Sequence, residues 1–221
     1  MSLDPFKMGL TSLLESVRKW DDAQPGNVSE WPPPEVRRAF SVIIPDEPVV
    51  HWVITTKAVW IDSVFEPDGQ LPEGVGIVVA SVLPTDGQIA TLNRSLLQNA
   101  RAAFVGDLDP YDLCIFLKIK ASAPQLDLTW SGVGDRWFKA IGIGVATEKT
   151  APIQFPMTPL ERKVLRSMKS AGIIVGEIVG ESANLVLQAG KKIELEGASN
   201  RQILGDGVAG ARELFGGNHQ E

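Results

Sequence analysis

Two aspartates, separated by one residue and followed by a proline, close an apolar stretch of the sequence. The stretch reads Phe-Val-Gly-Asp-Leu-Asp-Pro, with carboxylates at Asp107 and Asp109. In an extended chain alternate side chains point the same way, so both carboxylates face one side. Adjacent carboxylates repel unless solvent or a cation lies between them, and hard oxygen ligands suit Mg²⁺. Asp107 and Asp109 are therefore candidate ligands of a magnesium ion.

The same motif has a structural interpretation. An Asp-Pro pair is typical of a helix start, where the side chain of Asp109 caps the helix and Pro110 occupies its first turn. Asp107 would then be a surface carboxylate. The motif alone leaves both interpretations open.

Strands and helices are predicted to alternate around this motif. Short apolar runs predict four strands, at residues 49–54, 77–83, 102–105 and 126–130. Helical spacing of apolar residues predicts helices at residues 85–99 and 110–120. This alternation predicts an α/β fold with a mostly parallel sheet flanked by helices. Ligands bind at the carboxyl ends of the strands in such a sheet, which is where the two aspartates fall.

The whole chain of 221 residues is predicted to contain one main domain with extensions. We expect an N-terminal helix over residues 1–22, a Pro-rich tether over 23–48, the α/β domain over 49–200, and a C-terminal helix and tail over 201–221. Within the domain, Thr158 to Glu161 has the pattern of a capping box before a helix. The apolar run at residues 173–179 has the length of a strand.

Composition excludes several classes of function. The net charge is −6, so an overall basic surface for nucleic acid is missing. One cysteine, Cys114, and two histidines exclude a disulfide framework and a four-ligand zinc site made from Cys and His within the chain. No apolar run reaches the length of a membrane span and no secretory signal is recognisable, so we expect a cytoplasmic protein without membrane partners.

Basic residues are concentrated on one predicted helix. Arg162, Lys163 and Arg166 lie outward on the helix that begins near Thr158. A solvated helix face is the simplest interpretation, and a stripe that contacts phosphates is the alternative. These residues, together with Arg94, are the candidate nucleic-acid contacts.

The order of these segments resembles the Toprim domain of topoisomerase VI A subunits, of their meiotic relatives and of related plasmid-defence nucleases. The likeness rests mainly on Asp-Leu-Asp-Pro-Tyr at residues 107–111 and on segment order over residues 49–200. In that family a strand ends in a metal-binding glutamate, where this chain has Thr56, and a later helix carries an arginine, here Arg94. Residues 190–196 resemble the helix that closes such domains.

The resemblance implies an Mg²⁺ site with a missing ligand. We expect Thr56 to lie near Asp107 and Asp109, with no carboxylate completing a third corner unless Asp62 or Glu66 supplies it. Asp112 stands where the family has glycine after Tyr111. The family's winged-helix region with its nucleophilic tyrosine has no counterpart, so cleavage through a phosphotyrosine is not expected.

Two functions follow from this resemblance. The first is a catalytically degenerate Toprim-like module that binds a protein partner or nucleic acid within a larger assembly in nucleic-acid metabolism or defence. The second is an Mg²⁺-dependent nuclease that hydrolyses phosphodiesters by polarising the phosphate and activating water. The threonine at position 56 and the acidic composition favour the first function.

Overall fold

The structure is a computed structural model that describes residues 40–43, 48–57, 74–80, 82–94 and 101–198. The predicted N-terminal helix and C-terminal helix lie outside the described residues, as do Asp62 and Glu66. The aspartate motif and the segments on both sides of it lie within them.

A five-stranded sheet forms the centre of the described residues, in the order β1-β3-β2-β4-β5. Its strands are β1 (Phe40–Ile43), β2 (His51–Thr55), β3 (Val75–Ala80), β4 (Arg101–Val105) and β5 (Asp127–Trp130). Strands β2 to β5 run parallel, and β1 pairs antiparallel with β3. The predicted α/β class and mostly parallel sheet are confirmed, and all four predicted strands belong to this sheet.

Burial explains why the parallel strands could be recognised. Every residue of β3 is buried, as are Trp52 to Thr55 in β2. Parallel strands covered on both faces have nearly continuous apolar sequences, which is the pattern seen in β2 and β3. Strand β1 differs because Val42 and Ile43 are exposed, and it lies in the segment predicted as a tether.

The chain reverses its direction of travel across the sheet at β2. From β2 it continues to β3 on one side, then passes to β4 on the other side of β2, and then to β5. The carboxyl ends of β2 and β4 therefore border the topological switch point, the usual position of ligand sites in open α/β sheets.

Helices cover this sheet and extend the domain beyond it. They are α1 (Asp86–Leu92), α2 (Pro110–Ser122), α3 (Asp135–Ala140), α4 (Pro159–Ser170), α5 (Val175–Val179), α6 (Glu181–Gln188) and α7 (Leu195–Ala198), with a 3₁₀ turn at Ala151–Ile153. None of the described helices is long and apolar enough to cross a membrane.

Side chains cap the starts of α1 and α4. Thr85 and Gln88 form a capping box at α1, and Thr158 and Glu161 form the predicted one at α4. In each capping box the threonine side chain accepts a backbone N–H from the first turn, and the glutamine or glutamate side chain accepts the backbone N–H of the threonine. These bonds satisfy donors that a helix start leaves unpaired.

A small second sheet holds the end of the described chain against the aspartate motif. Strands β6 (Gln154–Pro156) and β7 (Lys191–Ile193) pair antiparallel, and Ile193 also pairs with Leu108. Residues 190–196 are therefore not one helix, as the resemblance implied, but a strand followed by the start of α7. The strand-sized run at residues 173–179 is also helical in part, as α5.

The core centres on aromatic packing between β4, α2 and β5. Phe104 stacks on Trp130 with ring centroids 5.4 Å apart, and Phe116 meets both rings edge-on. Such pairs add stability beyond the apolar area they bury. This packing holds α2 against β4 and β5.

Candidate metal centre

The candidate site is built from the two chain segments that leave β2 and β4. Thr56 and Lys57 follow β2, and Gly106 to Asp112 follow β4 and enter α2. The two strands are neighbours in register, with Thr55 beside Val105. Pairing of these strands therefore brings the two loops together at the switch point.

Three carboxylates meet in this position. Oxygen atoms of Asp107, Asp109 and Asp112 all lie within 4.8 Å of one another. The residues are only 3%, 7% and 3% exposed, respectively. The structure thus brings the predicted pair together and corrects the expectation that a third carboxylate would be missing, because Asp112 supplies it.

The first turn of α2 explains the position of Asp112. Asp109 has extended backbone dihedrals and caps the helix, its Oδ1 accepting the N–H of Asp112 at 2.8 Å. Side chains in a first helical turn point back toward the helix N-terminus. The capping interpretation of Asp109 is therefore correct, and it is compatible with a metal site. The sequence signal for the third carboxylate was an aspartate three residues after the helix cap.

Asp112 also holds the backbone of the loop. Its Oδ2 accepts the N–H of Asp107 at 2.7 Å. A Cβ atom on Gly106 would lie 2.5 Å from that same oxygen, so glycine is needed for this close approach. The carboxylate and the glycine together set the course of the chain between β4 and α2.

Thr56 lies at the cluster, in contact with its third member. Its hydroxyl donates a 2.8 Å hydrogen bond to Oδ2 of Asp112. Thr56 thus lies beside the carboxylates, as expected, but its hydrogen bond goes to Asp112 and not to Asp107 or Asp109. At this position the chain supplies a neutral donor.

Lys57, which the sequence did not single out, supplies the positive charge nearest to Asp107. Its Nζ lies 2.6 Å from Oδ2 of Asp107 and 4.0 Å from Oε2 of Glu196. The other oxygen of Asp107 accepts the backbone N–H of Leu195 at 2.7 Å. Both oxygens of Asp107 are therefore bound, one by β2's loop and one by the start of α7.

Burial raises the pKa values of the three carboxyl groups. The pKa of Asp109 rises to about 7, through burial and then through repulsion from Asp107. Burial and the charges of Asp109 and Asp107 raise the pKa of Asp112 well above its usual value. For Asp107, burial raises the pKa although Lys57 opposes the shift. The pKa of Lys57 is itself raised, because Asp107 outweighs the effect of burial on the ammonium.

A second ion pair borders the cluster. Lys192 donates a 3.0 Å hydrogen bond to Oε1 of Glu161 and lies 3.6 Å from Glu194. Lys192 also favours the ionised form of Asp109, whereas Glu161 disfavours it. The charges on the start of α4 and on β7 therefore partly offset each other at the site.

The donor set fits a divalent cation. The three carboxylates offer hard oxygen ligands. Among the described residues, Lys57 is the one basic side chain that contacts a member of this set, Asp107. Without a further cation, part of the negative charge must be neutralised by protons, as the raised pKa values indicate. Asp107, Asp109 and Asp112 can hold Mg²⁺, which typically takes one or two carboxylates together with waters or phosphate oxygens.

The other predicted contact residues lie on the surface. Arg162, Lys163 and Arg166 are exposed on α4, and Arg94 is exposed just after α1. The sulfur of Cys114 is buried, which raises the pKa of its thiol and makes it a core residue.

The chain matches no protein-family model and no curated protein sequence.

Proposed function

We propose that this protein is a Toprim-like module that binds Mg²⁺ at Asp107, Asp109 and Asp112 and serves as a binding component in an assembly acting on nucleic acid. One observation carries the proposal: three buried carboxylates meet at the switch point of a parallel sheet with a single lysine in direct contact among the described residues. Such a cluster of charge is suited to a divalent cation.

The neutral residue at position 56 favours binding over cleavage. In the Toprim family the corresponding glutamate helps to hold the metal, whereas here the Thr56 hydroxyl donates to Asp112. Lys57 already occupies one oxygen of Asp107. Both contacts reduce the negative charge available to a cation and so favour a weak site.

A nuclease is the alternative, and Asp112 is the observation that favours it. It supplies a third carboxylate within 4.8 Å of the other two, which the resemblance to the Toprim family did not imply. When bound, Mg²⁺ would polarise a phosphate and activate water for phosphodiester hydrolysis. The three aspartates would hold the ion.

Cleavage assays separate the two functions. Supercoiled plasmid, single-stranded DNA and RNA are incubated with wild-type protein and with Asp109→Asn in Mg²⁺ or Mn²⁺. Asp109→Asn is suitable because asparagine is as good a helix cap as aspartate. We expect no cleavage by either protein. Metal-dependent cleavage that is lost in Asp109→Asn would overturn the binding module and establish the nuclease.

Nucleic-acid binding is tested on α4. Its exposed Arg162, Lys163 and Arg166 would contact phosphates, so their replacement by glutamate should weaken binding of labelled DNA or RNA and flatten its salt dependence. Lys169→Glu, on the last turn of the same helix, is the control. Equal effects in both variants, or no binding by the wild type, would leave a protein partner as the ligand of the module.

A further inference from the structure

Within the described part of the chain, Asp107 is the one member of the cluster that is paired with an ammonium group. Its Oδ2 forms an ion pair with the Nζ of Lys57, and its Oδ1 accepts the Leu195 N–H. The ion pair is sheltered, since the side chains are 28% and 4% exposed. A cation that takes Oδ2 of Asp107 as a ligand must therefore displace Lys57.

A second carboxylate is within reach of the same ammonium. Oε2 of Glu196, in α7, lies 4.0 Å from the Lys57 Nζ, and its side chain is 49% exposed. Lysine carries a compact charge on a flexible stem and can change partners by rotation of that stem. Glu196 is therefore a ready acceptor on the solvent side of the site.

We propose that Lys57 is a built-in competitor of the divalent cation, bound to Asp107 when the site is empty and transferred to Glu196 when the site is loaded. This inference rests on the proposed function, since it assigns a regulation to that same metal centre. Two cations cannot share Oδ2 of Asp107 at low cost, because like charges at contact distance repel strongly in a buried site.

The exchange of Lys57 between Asp107 and Glu196 sets the free cation concentration at which the metal site becomes occupied. Breaking a sheltered, charge-assisted hydrogen bond lowers the apparent affinity for the ion, and the new pair with Glu196 recovers part of that loss. The site then loads only at high free Mg²⁺. Loading also changes the contacts of α7, because Glu196 gains the ammonium that Asp107 gives up.

The test measures Mn²⁺ binding, with free Mn²⁺ followed by electron paramagnetic resonance at about pH 8, well above the usual pKa of a carboxyl group. Lys57→Met should bind Mn²⁺ about tenfold more tightly than wild type. Lys118→Met is the matched control, because it removes a lysine ion-paired with Asp86 elsewhere on the protein. Its affinity for Mn²⁺ should equal that of the wild type.

Glu196→Gln provides an independent arm. Loss of the second acceptor should weaken Mn²⁺ binding by about threefold. Glu194→Gln removes the same charge from the same segment but from a residue that pairs with Lys192. It should weaken binding by less than Glu196→Gln does.

The outcomes are distinguishable. Wild type that binds Mn²⁺ while Lys57→Met binds it no more tightly would overturn the competition and leave the metal centre intact. No binding by either protein would overturn the proposed metal centre, and the competition with it. If Lys57→Met fails to fold, the Glu196 and Glu194 variants decide: equal affinities in these two would overturn the transfer to Glu196.

Discussion

The Thr56 hydroxyl and Oδ2 of Asp112 are joined by a 2.8 Å hydrogen bond that links the end of β2 to the first turn of α2. The same oxygen accepts the Asp107 N–H at 2.7 Å. A single buried carboxylate thus joins both loops of the site. The contact explains how a threonine can stand beside three aspartates: it supplies a donor where a fourth carboxylate would add charge.

Loss of this donor should destabilise the fold. In Thr56→Val the Asp112 carboxylate loses the hydrogen bond from Thr56 and keeps the one from the Asp107 N–H. We expect the free energy of unfolding to fall by about 1–3 kcal/mol. Thr56→Ser keeps the hydroxyl and is the control, with a smaller loss expected. Urea unfolding measures both. A valine variant as stable as the wild type would show that the bond contributes nothing.

A glutamate at position 56 should convert the site into a stronger metal centre. Thr56→Glu brings another carboxylate toward Asp112, so it should lower stability without metal and raise Mg²⁺ affinity by about tenfold. Thr56→Gln, which has the same size and no charge, should not raise the affinity. Calorimetric titration with MgCl₂ measures this. Equal affinities for the two variants would contradict the placement of residue 56 at the metal.

Stability should fall as the pH rises through the range where Asp109 ionises. Its pKa is about 7 in the folded protein, through burial and the charge of Asp107, against about 3.9 for an unfolded chain. The folded state therefore binds more protons between these values, and its stability is lost as the pH rises toward 7. At about 1.4 kcal/mol per pKa unit, the loss from Asp109 is roughly 4 kcal/mol.

Asp109→Asn keeps the helix cap and removes this titration. Its stability should vary less with pH than that of the wild type in metal-free buffer, as measured by denaturant unfolding between about pH 4 and pH 8. Parallel pH profiles for the two proteins would show that Asp109 ionises normally.

Gly106 should not tolerate a side chain. A Cβ atom there would lie 2.5 Å from Oδ2 of Asp112, so Gly106→Ala should cost about 1–3 kcal/mol through overpacking. Gly87→Ala is the matched control, because a Cβ at Gly87 meets nothing within 4 Å and α1 should gain about 0.5–1 kcal/mol. Thermal unfolding compares them. Similar effects of the two substitutions would contradict the close packing of the loop.

Nearly continuous burial made β2 and β3 predictable from sequence. Strands β2 to β5 could be placed because their apolar runs are short and separated by helical patterns. Strand β1 could not, since it has four residues with Val42 and Ile43 exposed at the sheet edge. Run length alone did not assign residues 173–179, because a short apolar run does not distinguish a strand from a buried helix such as α5.

The candidate site was only partly predictable. Alternation in an extended chain correctly brought Asp107 and Asp109 together. Asp112 was treated as a departure from a family pattern, although its place three residues after a helix cap returns its side chain to the strand end. The contacts of Lys57 with Asp107 and Glu196 join residues far apart in sequence, so no local pattern indicated them.

The most direct test of the account is the effect of Mg²⁺ on thermal unfolding. If the dissociation constant is about 1 mM, adding about 10 mM MgCl₂ at about pH 8 should raise the melting temperature of the wild type by about 3–6 °C. Asp109→Asn should shift by no more than about one degree at equal ionic strength. A wild type that does not respond to Mg²⁺, or an equal shift in both proteins, would contradict a magnesium centre at these aspartates.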